Sequence, residues 1–179
     1  NKEQPHAYFF PFQHLDNARK VLPENSKYWQ SLDGDWKFHW APDPDSRPKD
    51  FYQTEYDVSS WDAIPVPSSW NIYGIQKDGS QKYGTPILAI YVNQPVIFQH
   101  SVKVDDWRGG VMRTPPANWT TYKDRNEVGS FRRDFEIPQD WDGREVFISF
   151  DGVDSFFYLW INGQYVGFSK NSRNTANFK

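Results

Sequence analysis

The chain has 179 residues, enough for one domain with a single hydrophobic core. A net charge of −3 and a pI near 5.8 argue against a phosphate-binding surface, so nucleic acid is not expected as a partner. The lack of cysteine excludes disulfides and thiol catalysis and is compatible with cytoplasm and periplasm alike. No apolar run approaches the ~20 residues of a membrane span, so no membrane partner is expected.

Aromatic residues make up 18% of the chain, and 13 prolines and 11 glycines are scattered between short apolar runs. Aromatic side chains favour strands, and dispersed Pro and Gly indicate many turns. The composition therefore predicts an all-β domain. Residues 1–31 are polar and interrupted by Pro, so we expect an extended N-terminal arm over a core formed by residues 32–179.

The first predicted strand is Gly34–Trp40, in which Trp36, Phe38 and Trp40 alternate with polar residues. Trp61–Trp70 contains two prolines around Val66, which excludes a central strand and favours an edge strand or an extended segment. Another β-like stretch covers Tyr91–Val104, and an irregular region follows up to Gly129.

Four further strands are predicted near the end of the chain, at Phe131–Ile137, Glu145–Phe150, Ser155–Ile161 and Gln164–Phe168. Asn162-Gly163 alone separates the last two, which predicts a type I′ hairpin because both turn positions need positive φ. Short strands with regular turns predict an antiparallel β-sandwich or jelly roll.

Some side chains of this region have expected environments. We expect core positions for four apolar residues, which are Phe150, Val153, Phe156 and Phe157. Asp151 and Asp154 flank a turn, as an acid/base pair or, in the favoured interpretation, as turn acids bonded to backbone amides. Arg132 and Arg133 are interpreted as solvated strand positions. The four histidines share no metal-ligand spacing, and no metal site is predicted.

Three stretches together resemble glycoside hydrolase family two, most closely its large β-galactosidases. They are Ser31–Phe38, Ile64–Trp70 and the tract from Val128 to Phe178, with Phe150-Asp151-Gly152-Val153-Asp154-Ser155 and Trp160-Ile161-Asn162-Gly163 in its second half. The resemblance covers nearly the whole chain. It implies a galactose-binding-domain-like jelly roll at the N-terminus of a longer enzyme, and a chain that ends before the last strand or strands of the sandwich.

The resemblance also implies where the chemistry lies. The two catalytic glutamates belong to a later barrel domain, so no catalytic residue is expected here and the chain alone should be inactive. The full-length enzyme would hydrolyse terminal β-galactose from β-galactosides or oligosaccharides as a homo-oligomer. It would use Mg and Na, with no cofactor held by this part alone.

Two positions are candidates for the sugar site by resemblance. Asn93, after Pro86-Ile87 and Tyr91-Val92, is the candidate galactose contact, and its amide can both donate and accept. The alternative is a turn residue before Pro95. The family places an Asp for sugar and sodium just after a Phe matched by Phe178, but this chain has Lys179 there, which cannot replace a carboxylate.

Other functions stay open at this point. The domain could be an independent carbohydrate-binding module that stacks sugars on Trp107, Trp119 or Tyr122. It could belong to a β-glucuronidase or a β-mannosidase of the same family. It could also have a purely structural role, with residues 1–31 crossing a subunit contact.

Overall fold

A computed structural model of the chain describes residues 9–20, 22–84, 127–154, 156–170 and 174–179. Within these ranges the elements are α1 (Leu15–Lys20), β1 (Gly34–Ala41), β2 (Asp62–Val66), α2 (Trp70–Tyr73), β3 (Val128–Arg132), β4 (Ile148–Phe150), β5 (Phe157–Ile161), β6 (Gln164–Ser169) and β7 (Ala176–Phe178). Every strand pair is antiparallel. The predicted all-β antiparallel sandwich is confirmed.

The first sheet has the strand order β2-β1-β3, so β1 is central. Its register pairs Trp36 with Ile64 on one side and Phe38 with Phe131 on the other. Pro65 lies in β2, at the edge of this sheet, where a missing backbone donor costs least. The predicted strand at Gly34–Trp40 and the predicted edge position of the proline-rich segment are both confirmed.

One face of this sheet carries a core centred on Phe38. The Phe38 and Ile64 side chains are fully buried, and Tyr83 packs against them. The Phe38 ring meets Tyr83 edge-on at 5.0 Å and Phe131 at 4.8 Å between centroids. Burying one such side chain contributes about 1.5–3 kcal/mol, so this cluster dominates the stability of the sheet.

The opposite face of β1 is covered by the chain between β1 and β2. The His39 ring packs against Trp61 at 5.4 Å, and Trp61 also contacts Phe51 at 5.8 Å. Phe51 in turn meets Trp160 of β5 at 5.9 Å. This aromatic chain links the first sheet to the C-terminal hairpin.

The remaining strands form two pairs, β4 with β7 and β5 with β6. Phe150 and Phe178 of the first pair contact Phe157 of the second at 5.0 and 5.9 Å, which creates a second apolar cluster. In the hairpin turn, Asn162 and Gly163 have φ values of 49° and 78°. Both are positive, as the predicted type I′ turn requires.

Several details differ from the sequence predictions. The third strand starts at Val128 and ends at Arg132, and the fourth covers only Ile148–Phe150. The β1–β3 ladder ends at Arg132, and the side chain of the next residue, Arg133, donates to the carbonyl of Asp33. In the segment expected to be an extended arm, α1 and a 3₁₀ turn at Pro23–Asn25 show that it is partly helical. The proposed boundary at residue 31 stays a prediction.

The prediction that Phe156 is a core residue is wrong, because its side chain is 45% exposed. Alternation explains the error: Phe157 points to the inner cluster, so its neighbour must point outward. Phe150, Val153 and Phe157 are half-buried. Across the described ranges, no helix has the length and apolarity needed to cross a bilayer.

Candidate functional site

A charged cavity of about 320 Å³ opens beside the β1–β3 pair. It is lined by Asp35, Lys37, Val58, Arg132, Arg133 and Asp134. All but Val58 are charged, with carboxylates and cations side by side. Such a lining offers both donors and acceptors, which is what a polyhydroxylated ligand requires.

Arg132 builds the wall of this cavity by holding the loop before β2. Its guanidinium donates to the backbone carbonyls of Gln53, Thr54 and Tyr56 at 3.0, 2.6 and 2.9 Å. The interpretation of Arg132 as a solvated strand position is therefore wrong. Its fixed planar fork serves several carbonyls at once, so the side chain is structural.

Arg133 and Lys37 each reach a backbone carbonyl at the cavity. Arg133 Nη1 donates to the carbonyl of Asp33 at 3.0 Å, and Lys37 Nζ donates to the carbonyl of Ser59 at 3.4 Å. Both bonds are solvent-exposed. Arg133 and Lys37 each make one such bond, whereas Arg132 makes several bonds to the loop before β2.

A second polar cluster joins β2 to the chain after α2. Asp62 accepts hydrogen bonds from Lys82 Nζ at 2.8 Å and from Tyr83 Oη at 2.7 Å. The bond from Lys82, then that from Tyr83, holds the pKa of Asp62 below its ordinary value. Burial, then the bond to Asp62, raises the pKa of Tyr83. The cluster ties the chain down immediately before the segment that contains Asn93.

The two flanks of that segment lie together. Gly84, which precedes it, has φ +63°, and a Cβ there would lie 2.1 Å from the Glu127 carboxylate. Glu127 follows the segment and accepts a 3.4 Å bond from Trp40 Nε1 of β1. Residues 84 and 127 therefore meet at the end of the first sheet, and the positive φ at position 84 favours glycine.

The predicted sugar contact Asn93 lies outside the described residues, as do the candidate stacking residues Trp107, Trp119 and Tyr122. Asn93 stays a prediction. Asp151, expected with Asp154 as an acid/base pair or as a turn acid bonded to backbone amides, accepts a 3.0 Å bond from the side-chain hydroxyl of Thr175. This bond joins the end of β4 to the start of β7, a structural contact in an exposed position.

The carboxyl groups with displaced pKa values do not suit acid catalysis. Four of them in the described ranges have a pKa below the ordinary value: Glu55, Asp57, Asp62 and Asp78. The chief cause is a hydrogen bond from Thr54, Ser59, Lys82 and Ser80 respectively. The acid of a retaining glycosidase needs a raised pKa, so these four are displaced in the wrong direction.

The residue at position 179 does not fit the sodium ligand that the resemblance implies. Lys179 Nζ forms an ion pair with Glu145 Oε1, beside the β4–β7 pair. An ammonium group cannot ligate a cation, whereas a hard cation takes oxygen ligands. Among the residues described, no group of three His, Asp or Glu side chains could hold a metal ion.

The cavity was missed in the sequence because its walls come from distant segments. Asp35 and Lys37 lie on the same face of β1, which the alternation shows. That Arg132 pairs with Lys37 across the ladder depends on a register between residues far apart in the chain. The sequence signal for the cavity is the pair of charged residues, Asp35 and Lys37, at alternate positions of β1.

The sequence matches the family model "Glycosyl hydrolases family 2, sugar binding domain" over residues 29–179. The chain belongs to this family. Among family 2 relatives, a Priestia megaterium protein named "Beta-galactosidase" is 35% identical over 99% of this chain. A Halalkalibacterium halodurans protein of the same name is also 35% identical over 99% of the chain. The suspected family resemblance is thus confirmed.

A third relative has a narrower name, "Beta-galactosidase large subunit", and comes from Lactobacillus helveticus. It is 32% identical over 89% of this chain and is matched over 24% of its own length. The first two relatives are matched over only 15% of theirs. The chain therefore spans about a seventh of the length of the first two relatives.

Proposed function

We propose that this family 2 domain works as part of a longer β-galactosidase, in which it braces the catalytic part and helps to shape the pocket for a terminal β-galactose. The observation that carries the proposal is the 35% identity, over almost the whole chain, to two proteins named "Beta-galactosidase". The short share of their length that is matched leaves ample chain for a separate catalytic domain.

The architecture supports a bracing role. The aromatic core around Phe38 and the Arg132 clamp give a rigid scaffold, and both flanks of the segment with Asn93 are fixed to it. A rigid scaffold that presents a loop residue is a common way to position a binding group. We propose Asn93 as that group, donating to and accepting from galactose hydroxyls.

The same proposal covers the metal ions and the oligomeric state of the longer enzyme. A magnesium ion would be held by residues outside this chain, and the enzyme would form a homo-oligomer. No sodium ligand is proposed at position 179, because Lys179 does not fit one.

The test compares the 179-residue chain with the longer polypeptide on nitrophenyl β-galactoside, β-glucuronide and β-mannoside. We expect the longer polypeptide to prefer the galactoside and the chain alone to hydrolyse none. Hydrolysis by the chain alone would overturn the proposal that the catalytic residues lie in another part of the polypeptide. A preference for the glucuronide or mannoside would assign the domain to a different enzyme of the family.

Calorimetry separates this function from that of an independent carbohydrate-binding module. Titrating the chain alone with galactose and lactose should give no measurable heat of binding, because the pocket needs the catalytic part. Binding by the chain alone would favour the module, with the charged cavity at Asp35 and Asp134 as the first place to mutate.

A further inference from the structure

The β5–β6 hairpin presents aromatic rings on the side away from the inner cluster. This outer aromatic face consists of Phe156, Tyr158, Trp160, Tyr165 and Phe168. Four of these are 40–54% exposed, and Trp160 is half-buried against Tyr52. Soluble domains seldom leave so many neighbouring rings in water, so a continuous apolar surface of this kind marks an interaction site.

The register of the hairpin gathers these rings on one face. Tyr158 pairs with Phe168, and Trp160 pairs with Tyr165 across the two strands. The alternate residue Phe157 packs inward on Phe150 and Phe178. A strand with one wet face normally alternates apolar with polar residues, whereas these strands are apolar on both sides. The pattern is that of a sheet covered on both faces.

The geometry of the rings indicates what kind of surface covers them. Phe156 and Tyr158 stand at 83° to each other, and Tyr158 is inclined by 58° to Phe168. A sugar ring stacks on a flat, open aromatic face, but these tilted rings form a corrugated surface. Apolar side chains of another protein surface can pack between rings that are inclined to one another in this way.

The chemistry of the face agrees with this. None of its five members carries a charge, and aromatic enrichment with charge depletion is typical of the centre of a protein interface. The Priestia megaterium and Halalkalibacterium halodurans relatives are matched over only 15% of their length, so a longer polypeptide has ample chain to supply the covering surface.

We propose that the outer aromatic face is the surface on which a second domain of the same polypeptide packs through apolar side chains. This inference rests on the proposed function, since it takes the domain to be part of a longer enzyme. It goes further by assigning the contact to the hairpin and not to the charged cavity on the first sheet.

The lack of cysteine in the chain allows a direct test by thiol labelling. Tyr158→Cys reports on the face, and Tyr73→Cys is the matched control, because Tyr73 is 49% exposed on α2, away from the hairpin. Each variant is made in the 179-residue chain and in the longer polypeptide. Peptide mass spectrometry then follows the label at that position, and Phe156→Cys is the second reporter should Tyr158→Cys fail to fold.

We expect both cysteines to label rapidly in the 179-residue chain. In the longer polypeptide, position 158 should label at least about tenfold more slowly, because labelling then requires the interface to open, while position 73 stays rapid. Equal rates at position 158 in the two proteins would overturn the proposal. Slow labelling in the 179-residue chain would also overturn it, since the chain's own residues would then cover the face.

Two other occupants have distinct signatures. If labelling at position 158 slows as the concentration of the 179-residue chain rises, a second copy covers the face, and the proposal is overturned. If lactose slows labelling at position 158, the occupant is a sugar, and the proposal is likewise overturned. Protection in a longer polypeptide that lacks β-galactosidase activity would uphold the surface and overturn only the proposed function.

Discussion

Tyr52 and Trp160 stack with ring centroids 5.4 Å apart and planes inclined by only 14°. Tyr52 belongs to the loop between β1 and β2, and Trp160 to the C-terminal hairpin. The loop itself is held by Arg132 of β3, so the stack connects the first sheet to the second half of the domain. In the described ranges, Phe51 and Tyr52 both contact Trp160, and the Arg132 clamp fixes the loop that carries these two residues.

Replacing Trp160 with Ala should destabilise the domain by about 2–4 kcal/mol, because the ring packs on both Tyr52 and Phe51. Trp160→Phe keeps an aromatic ring and should lose less than half as much. Urea unfolding followed by far-UV circular dichroism measures both. Equal losses for the two variants would contradict this prediction, because a phenyl ring at position 160 would then recover none of the stability.

Substituting Arg132 should destabilise the domain more than substituting Arg133, because Arg132 clamps the loop before β2. Arg132→Lys should cost about 1–3 kcal/mol, because a lysine cannot reach the carbonyls of Gln53, Thr54 and Tyr56 together. Arg133→Lys is the matched control, since Arg133 bonds only the carbonyl of Asp33 in the described ranges and should lose under about 0.5 kcal/mol. Thermal unfolding at equal ionic strength compares them, and a larger loss at Arg133 would contradict this account.

The Asp62 cluster predicts an acid-dependent loss of stability. Its hydrogen bonds from Lys82 and Tyr83 lower the pKa of Asp62, so the native state binds a proton less readily than the unfolded chain. The contribution is complete above the ordinary pKa of 3.8 and is lost as pH falls through the lowered native value. Asp62→Asn should make the free energy of unfolding depend less on pH in this range. Unfolding measured between pH 6 and pH 2 tests this. A variant with the full acid slope would show that other carboxyl groups cause it.

The hairpin turn gives a test of backbone conformation without a packing change. A Cβ at Gly163 would meet its nearest neighbour, the carbonyl of Tyr52, at 3.8 Å, so there is space for it. The φ of +78° is nevertheless unfavourable for a side chain, and Gly163→Ala should cost about 1–2 kcal/mol. Asn162→Gly, at φ 49°, should be nearly neutral. A lower free energy of unfolding for Asn162→Gly than for Gly163→Ala would contradict a type I′ turn.

The proposed sugar contact predicts a kinetic effect in the longer enzyme. Asn93→Ala should raise KM or lower kcat for a β-galactoside by about tenfold or more, because hydroxyl groups of the sugar lose an amide partner. Asn17→Ala on α1 serves as the control and should leave both constants unchanged. Unchanged kinetics for Asn93→Ala would favour the alternative of a turn residue before Pro95.

Local signals made much of the fold predictable. Alternation over Gly34–Trp40 located the central strand, and the prolines around Val66 located an edge. Asn162-Gly163 specified its hairpin because the turn conformation depends on those two residues alone. Each of these features is encoded within a few neighbouring residues.

The features that were missed depend on partners far apart in the chain. Arg132 finds its acceptors 76 to 81 residues earlier, so its role could not be deduced from the dipeptide Arg132-Arg133. The charged cavity likewise needs the β1–β3 register. Hydrophobicity alone predicts a core position for Phe156, whereas its alternation with Phe157 directs the side chain outward, where it is 45% exposed.

Bracing of a catalytic part located elsewhere in a β-galactosidase can be tested by removing the sandwich from the longer polypeptide. The most direct measurement is kcat/KM for nitrophenyl β-galactoside with the intact longer polypeptide and with the same polypeptide lacking residues 29–179. We expect kcat/KM to fall at least about a hundredfold on removal, since both the scaffold and the sugar contact disappear. Undiminished kcat/KM in the shortened enzyme would contradict it.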